Sequence, residues 1–191
     1  MRALNPVLIF PLLLSAPAQG SATASLADPA SVACSVAAAY VVTVIAEAKN
    51  RPVVFTRHDK PSTSAITGGR WWKTDGTRLV RPPAALIRRF EDQVNRNAVG
   101  RCPSVRRLLD SRRVGYGQKA VDAVYSPDPS ILFKARVYTI SVPVVSADGK
   151  KAILYSSGVS GLMATGAYLE LLERQPNGKW TVVANSALTV S

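Results

Sequence analysis

The C-terminal third of the chain carries a strand-and-turn pattern that constrains the fold more than any other feature. Residues 131–145 alternate along the chain in the manner of a β-strand. The turn dipeptides Asp148-Gly149 and Asn177-Gly178 each precede a further apolar run, which is typical of β-hairpins. A glycine-rich stretch, residues 158–166, leads into another apolar run at 168–172. These segments predict four strands joined in an antiparallel meander.

The region before this sheet reads as helices and short connecting segments. Asp28-Pro29 is a good helix start, because Asp caps the first turn and Pro is tolerated within it. A second helix is expected after Pro82-Pro83, and residues 52–56 are expected to form a strand at a sheet edge because of Pro52. Helices first and sheet last predict an α+β fold over residues 28–191, with N-terminal helices packed on a C-terminal four-stranded antiparallel meander.

The first residues have the three parts of a secretory signal. Arg2 precedes a short apolar core at residues 7–14, and small residues follow it. The apolar core is shorter than the roughly 18 residues that span a bilayer. We therefore expect a signal peptide over residues 1–24, cleaved after Ala18 or Ala24, and a periplasmic or secreted location for the mature protein.

A second apolar stretch, residues 29–46, contains no charged residue. Its polar side chains, such as Ser31, Ser35 and Thr43, lie along one side of a helix, which favours a helix packed in a soluble core. Lys49 could flank a membrane segment, so a span over residues 29–46 stays open as the alternative.

The chain has two cysteines, Cys34 and Cys102. In an exported protein an isolated pair most often forms one disulfide, which here would stabilise the fold by about 4 kcal/mol. The chain has one histidine, and its carboxylates match no metal-ligand spacing. No metal site and no cofactor are predicted.

The charge balance is strongly basic, with 24 Lys and Arg against 12 Asp and Glu. Such a surface favours an anionic envelope component or another exported protein as partner, whereas export disfavours nucleic acid as the physiological one. Four arginines are the candidate anion site because guanidinium groups fork onto oxyanions. They are Arg106, Arg107, Arg112 and Arg113. The alternative is a solvated face in a chain rich in Ala and Arg.

Trp71 and Trp72 stand between two cations, Arg70 and Lys73. An exposed aromatic pair of this kind suits stacking on a sugar or contact with a partner protein. The alternative, which we favour, is that one or both rings close the open side of a small core.

The last third resembles the C-terminal part of small exported bacterial proteins of unknown function. The segments that carry the resemblance are residues 141–146, 148–152, 155–157, 166, 171–174 and 178–183. It implies a sheet with helices on one face, of a cystatin-like or nuclear-transport-factor-like kind, and no known activity. The glycine-rich crossing often holds paired cysteines there, and residues 158–166 hold none, so no role of that pair transfers.

The sequence favours a non-catalytic exported module that binds through its basic surface and the concave face of the sheet. The alternative is a small hydrolase with a pocket in that concavity. No catalytic residue is assigned, because a general base needs a nucleophile within reach. A cavity that contained His58, Asp59 or Asp122 would favour the hydrolase.

Overall fold

The computed structural model describes residues 28–49, 51–59, 70–93, 95–128, 133–161 and 164–190. The predicted signal peptide, residues 1–24, lies outside these ranges, as do residues 131 and 132 of the first predicted strand. The helices are α1 Pro29–Glu47, α2 Ala84–Glu91, α3 Ala98–Arg101, α4 Pro103–Ser111 and α5 Gln118–Val124. The strands are β1 Val53–Phe55, β2 Trp71–Lys73, β3 Leu79–Val80, β4 Gly115–Tyr116, β5 Arg136–Ile140, β6 Val144–Val145, β7 Lys151–Gly161, β8 Ala164–Arg174 and β9 Trp180–Val190.

The fold is α+β, but its sheet is larger than the predicted four-stranded meander. Nine strands of the described residues form one mixed sheet in the order β3-β2-β9-β8-β7-β5-β1-β4, and β6 pairs with β7. Strands β5, β7, β8 and β9 are antiparallel neighbours, whereas β1 runs parallel to both β5 and β4. The prediction of a purely antiparallel four-stranded sheet was therefore wrong.

A strand was predicted at residues 52–56, where β1 lies, but β2, β3 and β4 were missed because they are short. Strands β1 to β4 have two or three residues each, too few to show a two-residue period. The edge position expected for β1 was also wrong, because β1 lies between β4 and β5. Pro52 precedes the strand, and its carbonyl accepts the Arg136 N–H at 2.9 Å, so the proline does not interrupt the pairing.

Helix α1 packs on one face of the sheet together with α3 and α4. Asp28 caps it as predicted, since its Oδ1 accepts the Ala30 N–H at 3.3 Å. With a mean hydropathy of 1.9, α1 is the one helix in the described ranges that is long and apolar enough to cross a membrane. Within the fold it buries a row of side chains against the α3–α4 pair and the sheet. The buried row is Ala33, Val36, Ala37, Tyr40, Val41 and Val44.

Helix α2 covers the opposite face of the sheet. Its Leu86 and Phe90 pack against Ile153 and Leu169, which alternate along β7 and β8 with the residues that face α1. The helices therefore lie on both faces, whereas the resemblance implied a sheet covered on one.

The predicted disulfide is confirmed. Cys34 of α1 and Cys102, which directly precedes α4, are bonded across a sequence separation of 68 residues. Cys102 is fully buried in the core beneath α1. The bond fixes α1 to the α3–α4 pair, and with them the helical layer that lies over the sheet.

Candidate functional site

A cavity of about 340 Å³ lies between the C-terminal half of α1 and the sheet face that α1 covers. Alternate residues of a strand point to the same face, so β5, β7 and β8 each present a row of side chains to this space. The lining residues are Tyr40, Val44, Glu47, Arg136, Tyr138, Ser156, Gly158, Thr165, Gly166, Tyr168 and Glu170. Val44 contributes the one aliphatic side chain, and most of the others carry a hydroxyl or a charge.

Glu170 of β8 forms part of the wall of this cavity, and it is an acid among core residues. It is 8% exposed, and its Oε1 accepts hydrogen bonds from Tyr40 Oη at 3.1 Å and Ser156 Oγ at 3.3 Å. Burial raises the pKa of the carboxyl to about 7, although the two hydrogen bonds oppose the shift. Near neutral pH the carboxyl is therefore protonated in a large fraction of molecules.

Arg136 of β5 is a half-buried cation in the same cavity. Its guanidinium carbon lies 5.8 Å from the centre of the Tyr138 ring, and Nη1 donates to Tyr138 Oη at 3.2 Å. The ion pairs of the described residues are Arg101–Asp59 and Lys151–Glu173, and neither involves Arg136. Nε is buried, with no hydrogen-bond partner among those residues. The arginine is thus held in place by an aromatic ring but its charge has no carboxylate partner there.

Two paired glycines let tyrosine rings lie close to the strands at the base of the cavity. Gly158 and Gly166 face each other across β7 and β8. A Cβ on Gly158 would meet Tyr138 Cε1 at 3.0 Å, and a Cβ on Gly166 would meet Tyr168 Cε2 at 2.8 Å. The rings occupy the space that side chains would take, so the floor of the cavity is aromatic.

A basic depression adjoins the cavity through two shared residues, Glu47 and Arg136. Ala48, Lys49 and Arg51 complete its lining. Lys49 has φ 52°, the left-handed conformation that often follows a helix end, and its side chain is exposed. The end of α1 thereby places cations beside the cavity.

A second groove runs between the outer side of α1 and the β8–β9 turn. Its lining includes Val42, Arg174, Lys179 and Trp180. None of its lining residues is buried, and no polar side chain is enclosed in it. The cavity under α1 is the better candidate site, because it holds a buried acid and a cation that forms no ion pair with any described residue.

The predicted arginine site lies outside this cavity. Arg106 has a structural role, since its Nη1 donates hydrogen bonds to the carbonyls of Val99 at 2.9 Å and Gly100 at 3.0 Å. Arg107, Arg112 and Arg113 are exposed. None of the four lines the cavity.

Trp71 and Trp72 point to opposite faces of the sheet, as neighbours on a strand must. Trp71 is 7% exposed and packs in the core under α2, whereas Trp72 is 42% exposed. Trp71 closes the core, as the alternative interpretation proposed, and the exposed aromatic pair does not form.

The residues proposed to distinguish a hydrolase are exposed and lie outside the cavity lining. They are His58, Asp59 and Asp122. Asp59 links its loop to α3 and the residue before it, because it accepts hydrogen bonds from Arg101 at 2.7 Å and from the Asn97 N–H at 2.8 Å. Both bonds, led by that of Arg101, lower the pKa of the carboxyl. Within the described ranges, no group of three or more His, Cys, Asp and Glu is placed to hold a metal ion.

Sequence reasoning missed Glu170 and Arg136 as site residues. One signal was available, because Glu170 is an acid in an otherwise apolar run, residues 168–172. Two-residue alternation places it on the same face as Leu172, which is 1% exposed. A charged residue in such a row indicates either a partner or a functional site. Arg136 carried no such signal.

Comparisons with known proteins add no family to this description. The chain matches no protein-family model, no curated protein and no solved structure. The resemblance to small exported bacterial proteins stays a prediction.

Proposed function

We propose that this is an exported, non-catalytic binding protein whose cavity under α1 takes a small organic acid, with Arg136 as the partner of the ligand's oxyanion. The observation that carries the proposal is a half-buried guanidinium in a polar cavity, with no ion pair among the described residues. Leaving a charge partly buried and unpaired is costly, and an oxyanion removes that cost.

The surroundings of Arg136 suit recognition of such an anion. The Tyr138 ring lies 5.8 Å from the guanidinium carbon and its hydroxyl accepts a hydrogen bond from Nη1, so the side chain is already restricted before a ligand binds. A planar guanidinium offers paired N–H donors to the two oxygens of a carboxylate. Lys49 and Arg51 in the adjoining depression add attraction for a negative ligand.

Glu170 adds a second recognition group. In its protonated form the carboxyl donates a hydrogen bond and brings no negative charge into the cavity, so it does not repel an anion. In its ionised form it does repel one. A raised pKa thus makes the buried acid compatible with an anionic ligand at and below neutral pH.

Export is supported by the disulfide, because such bonds persist in oxidising compartments. The signal-like residues 1–24 agree with it. The net charge of +12 favours anionic ligands in general and does not by itself identify a site.

Binding of carboxylates tests this proposal. Isothermal titration would compare wild type with Arg136→Gln and with Arg107→Gln, an exposed arginine of α4 that loses the same charge. The probes are D-glucuronate, benzoate and hexanoate. At least one is expected to bind, and Arg136→Gln is expected to weaken it roughly tenfold or more, as loss of a charge-assisted hydrogen bond does. No binding, or equal effects of the two variants, would contradict the proposal.

A hydrolase is the second candidate, and Glu170 favours it. A buried carboxyl with a pKa of about 7 is suited to general acid catalysis, and Glu47 supplies a second carboxyl group at the edge of the same cavity. Release of nitrophenol from nitrophenyl glycosides or esters would test it. Activity that Glu170→Gln abolishes would replace the binding proposal with the hydrolase.

A further inference from the structure

We infer that the ligand of the cavity is an acidic sugar, a hydroxylated ring that bears one carboxylate or phosphate. This inference rests on the proposed function, since it names the class of organic acid that the cavity would take. It follows from the polarity of the lining, the aromatic floor and the position of the cations.

The hydroxyls and charges of the lining disfavour a fatty acid as the ligand. An alkyl chain needs apolar walls, and Val44 is the one aliphatic side chain in the lining. Hydroxyls come instead from Tyr40, Ser156 and Thr165, with two more from the floor tyrosines. Tyr40 and Ser156 already donate to Glu170, but their oxygens can still accept a hydrogen bond, which an alkyl chain does not offer. A ring with several hydroxyls satisfies them.

The aromatic floor suits a ring with one apolar face. Tyr138 and Tyr168 lie against the Gly158–Gly166 pair and leave aromatic surface at the base of the cavity. The negative face of an aromatic ring attracts the C–H groups that line one face of a sugar ring. Hydroxyls at the edge of that sugar ring then point toward the walls.

The walls offer a sugar both donors and acceptors. Glu170, Tyr40 and Ser156 form one hydrogen-bonded group in the lining, so hydroxyl and carboxyl functions meet the ligand together. Such groups bond to ring hydroxyls that can either donate or accept. This part of the cavity would form hydrogen bonds with the neutral hydroxyls of the ligand.

The cations define where the charged group of the sugar sits. Arg136 lines both the cavity and the adjoining depression, which also contains Lys49 and Arg51. An oxyanion next to Arg136 would lie where the two spaces meet. A carboxylate and a phosphate share this chemistry, since both accept paired N–H bonds from a guanidinium. A neutral sugar would leave Arg136 without a counter-charge.

The experiment is a titration of the mature protein, by calorimetry or by saturation-transfer NMR, with five probes. They are D-glucuronate, glucose 6-phosphate, glucose, benzoate and hexanoate. We expect at least one of the two acidic sugars to bind tenfold or more tightly than glucose, benzoate and hexanoate. Whether glucuronate or glucose 6-phosphate binds more tightly identifies the oxyanion as carboxylate or phosphate.

Variants at Tyr168 test the stacking. Tyr168→Leu is expected to weaken the acidic sugar roughly three- to tenfold, the range of aromatic stacking effects, while Tyr168→Phe keeps the ring and most of the affinity. The control is Tyr125→Leu, because Tyr125 is 56% exposed and lies outside the cavity lining. A second route to the same result is Gly166→Ala, whose new Cβ would displace the Tyr168 ring.

The outcomes distinguish failure of the acidic-sugar inference from failure of the organic-acid proposal on which it rests. If benzoate or hexanoate binds best and its binding depends on Arg136, the sugar inference is overturned and the organic-acid proposal stands. If no probe binds in an Arg136-dependent way, both fall. Equal affinity for glucose and glucuronate would also overturn the inference, as would equal effects of Tyr168→Leu and Tyr125→Leu.

Discussion

Glu170 and Arg136 line one cavity, yet no ion pair joins them. The cost of burying each group is reduced in a different way. Glu170 accepts hydroxyl bonds from Tyr40 and Ser156 and tends to hold its proton, and Arg136 rests on the Tyr138 ring. Among the described residues, the charge of Arg136 therefore has no carboxylate within ion-pair distance.

Glu170 should make the stability of the fold depend on pH. The folded state raises its pKa from the ordinary value of 4.5 to about 7, so between these values the folded protein holds a proton that the unfolded chain has released. Stability contributed by this group is present below pH 4.5 and lost as the pH rises through 7. A variant without the titratable Glu170 carboxyl should not show this loss of stability.

Glu170→Gln is accordingly expected to gain stability over wild type as the pH rises from 4.5 to 8, by about 3 kcal/mol in total. Urea unfolding at several pH values measures this difference. The matched control is Glu173→Gln on the same strand, which loses an exposed ion pair to Lys151 and should show no gain above pH 7. A pH-independent difference for Glu170→Gln would show that the carboxyl is not perturbed by burial.

At the scale of elements, the long strands were predictable and the site was not. Asp148-Gly149 and Asn177-Gly178 fix two hairpin turns, and both glycines adopt positive φ values, 67° and 79°. Strands β7, β8 and β9 follow from these turns. The cavity depends on the register between the strands, which places Tyr138 opposite Gly158 and Ser156 opposite Tyr168. Turn residues alone do not specify that register over eleven-residue strands.

The strand at residues 52–56 was predicted, but β4 and its parallel pairing with β1 were missed for a related reason. Strands β1 and β4 pair in parallel across a separation of some sixty residues, through the registers Val54 to Gly115 and Phe55 to Tyr116. Such pairs have no turn signal between them. Helix α5 has no buried residue, so its sequence shows no apolar stripe.

The disulfide acts between elements, since it joins α1 to the start of α4. Closing a loop of 68 residues restricts the unfolded chain and should stabilise the fold by about 4 kcal/mol in the chain-entropy model. A variant with Cys34→Ala and Cys102→Ala is expected to lose stability of this order in urea unfolding. Dithiothreitol should have the same effect on wild type and none on the variant. Equal stability of the two proteins without reductant would contradict the expected contribution.

At the scale of the whole molecule, the two faces of the sheet differ: one is covered by a filled core, and the other holds the candidate site. The face under α2 is filled by a second core that includes Trp71 and Phe90, and the face under α1 is filled near the disulfide and open near the end of the helix. The sequence predicted helices packed on a sheet and a concave face suited to binding. It predicted an anion site at surface arginines and did not predict the cavity, because the cavity is formed by residues far apart in the chain.

The most direct test of the central claim is an NMR titration of the labelled protein with D-glucuronate, or with glucose 6-phosphate if that binds more tightly. An oxyanion bound to the Arg136 guanidinium should shift the N–H resonances of that side chain downfield, because it forms charge-assisted hydrogen bonds with them. The Gly158 and Gly166 amides, on the cavity floor, should move with them. Shifts confined to the side chains and amides around Arg107 and Arg112 on α4 would contradict the cavity and return the binding site to the exposed arginines.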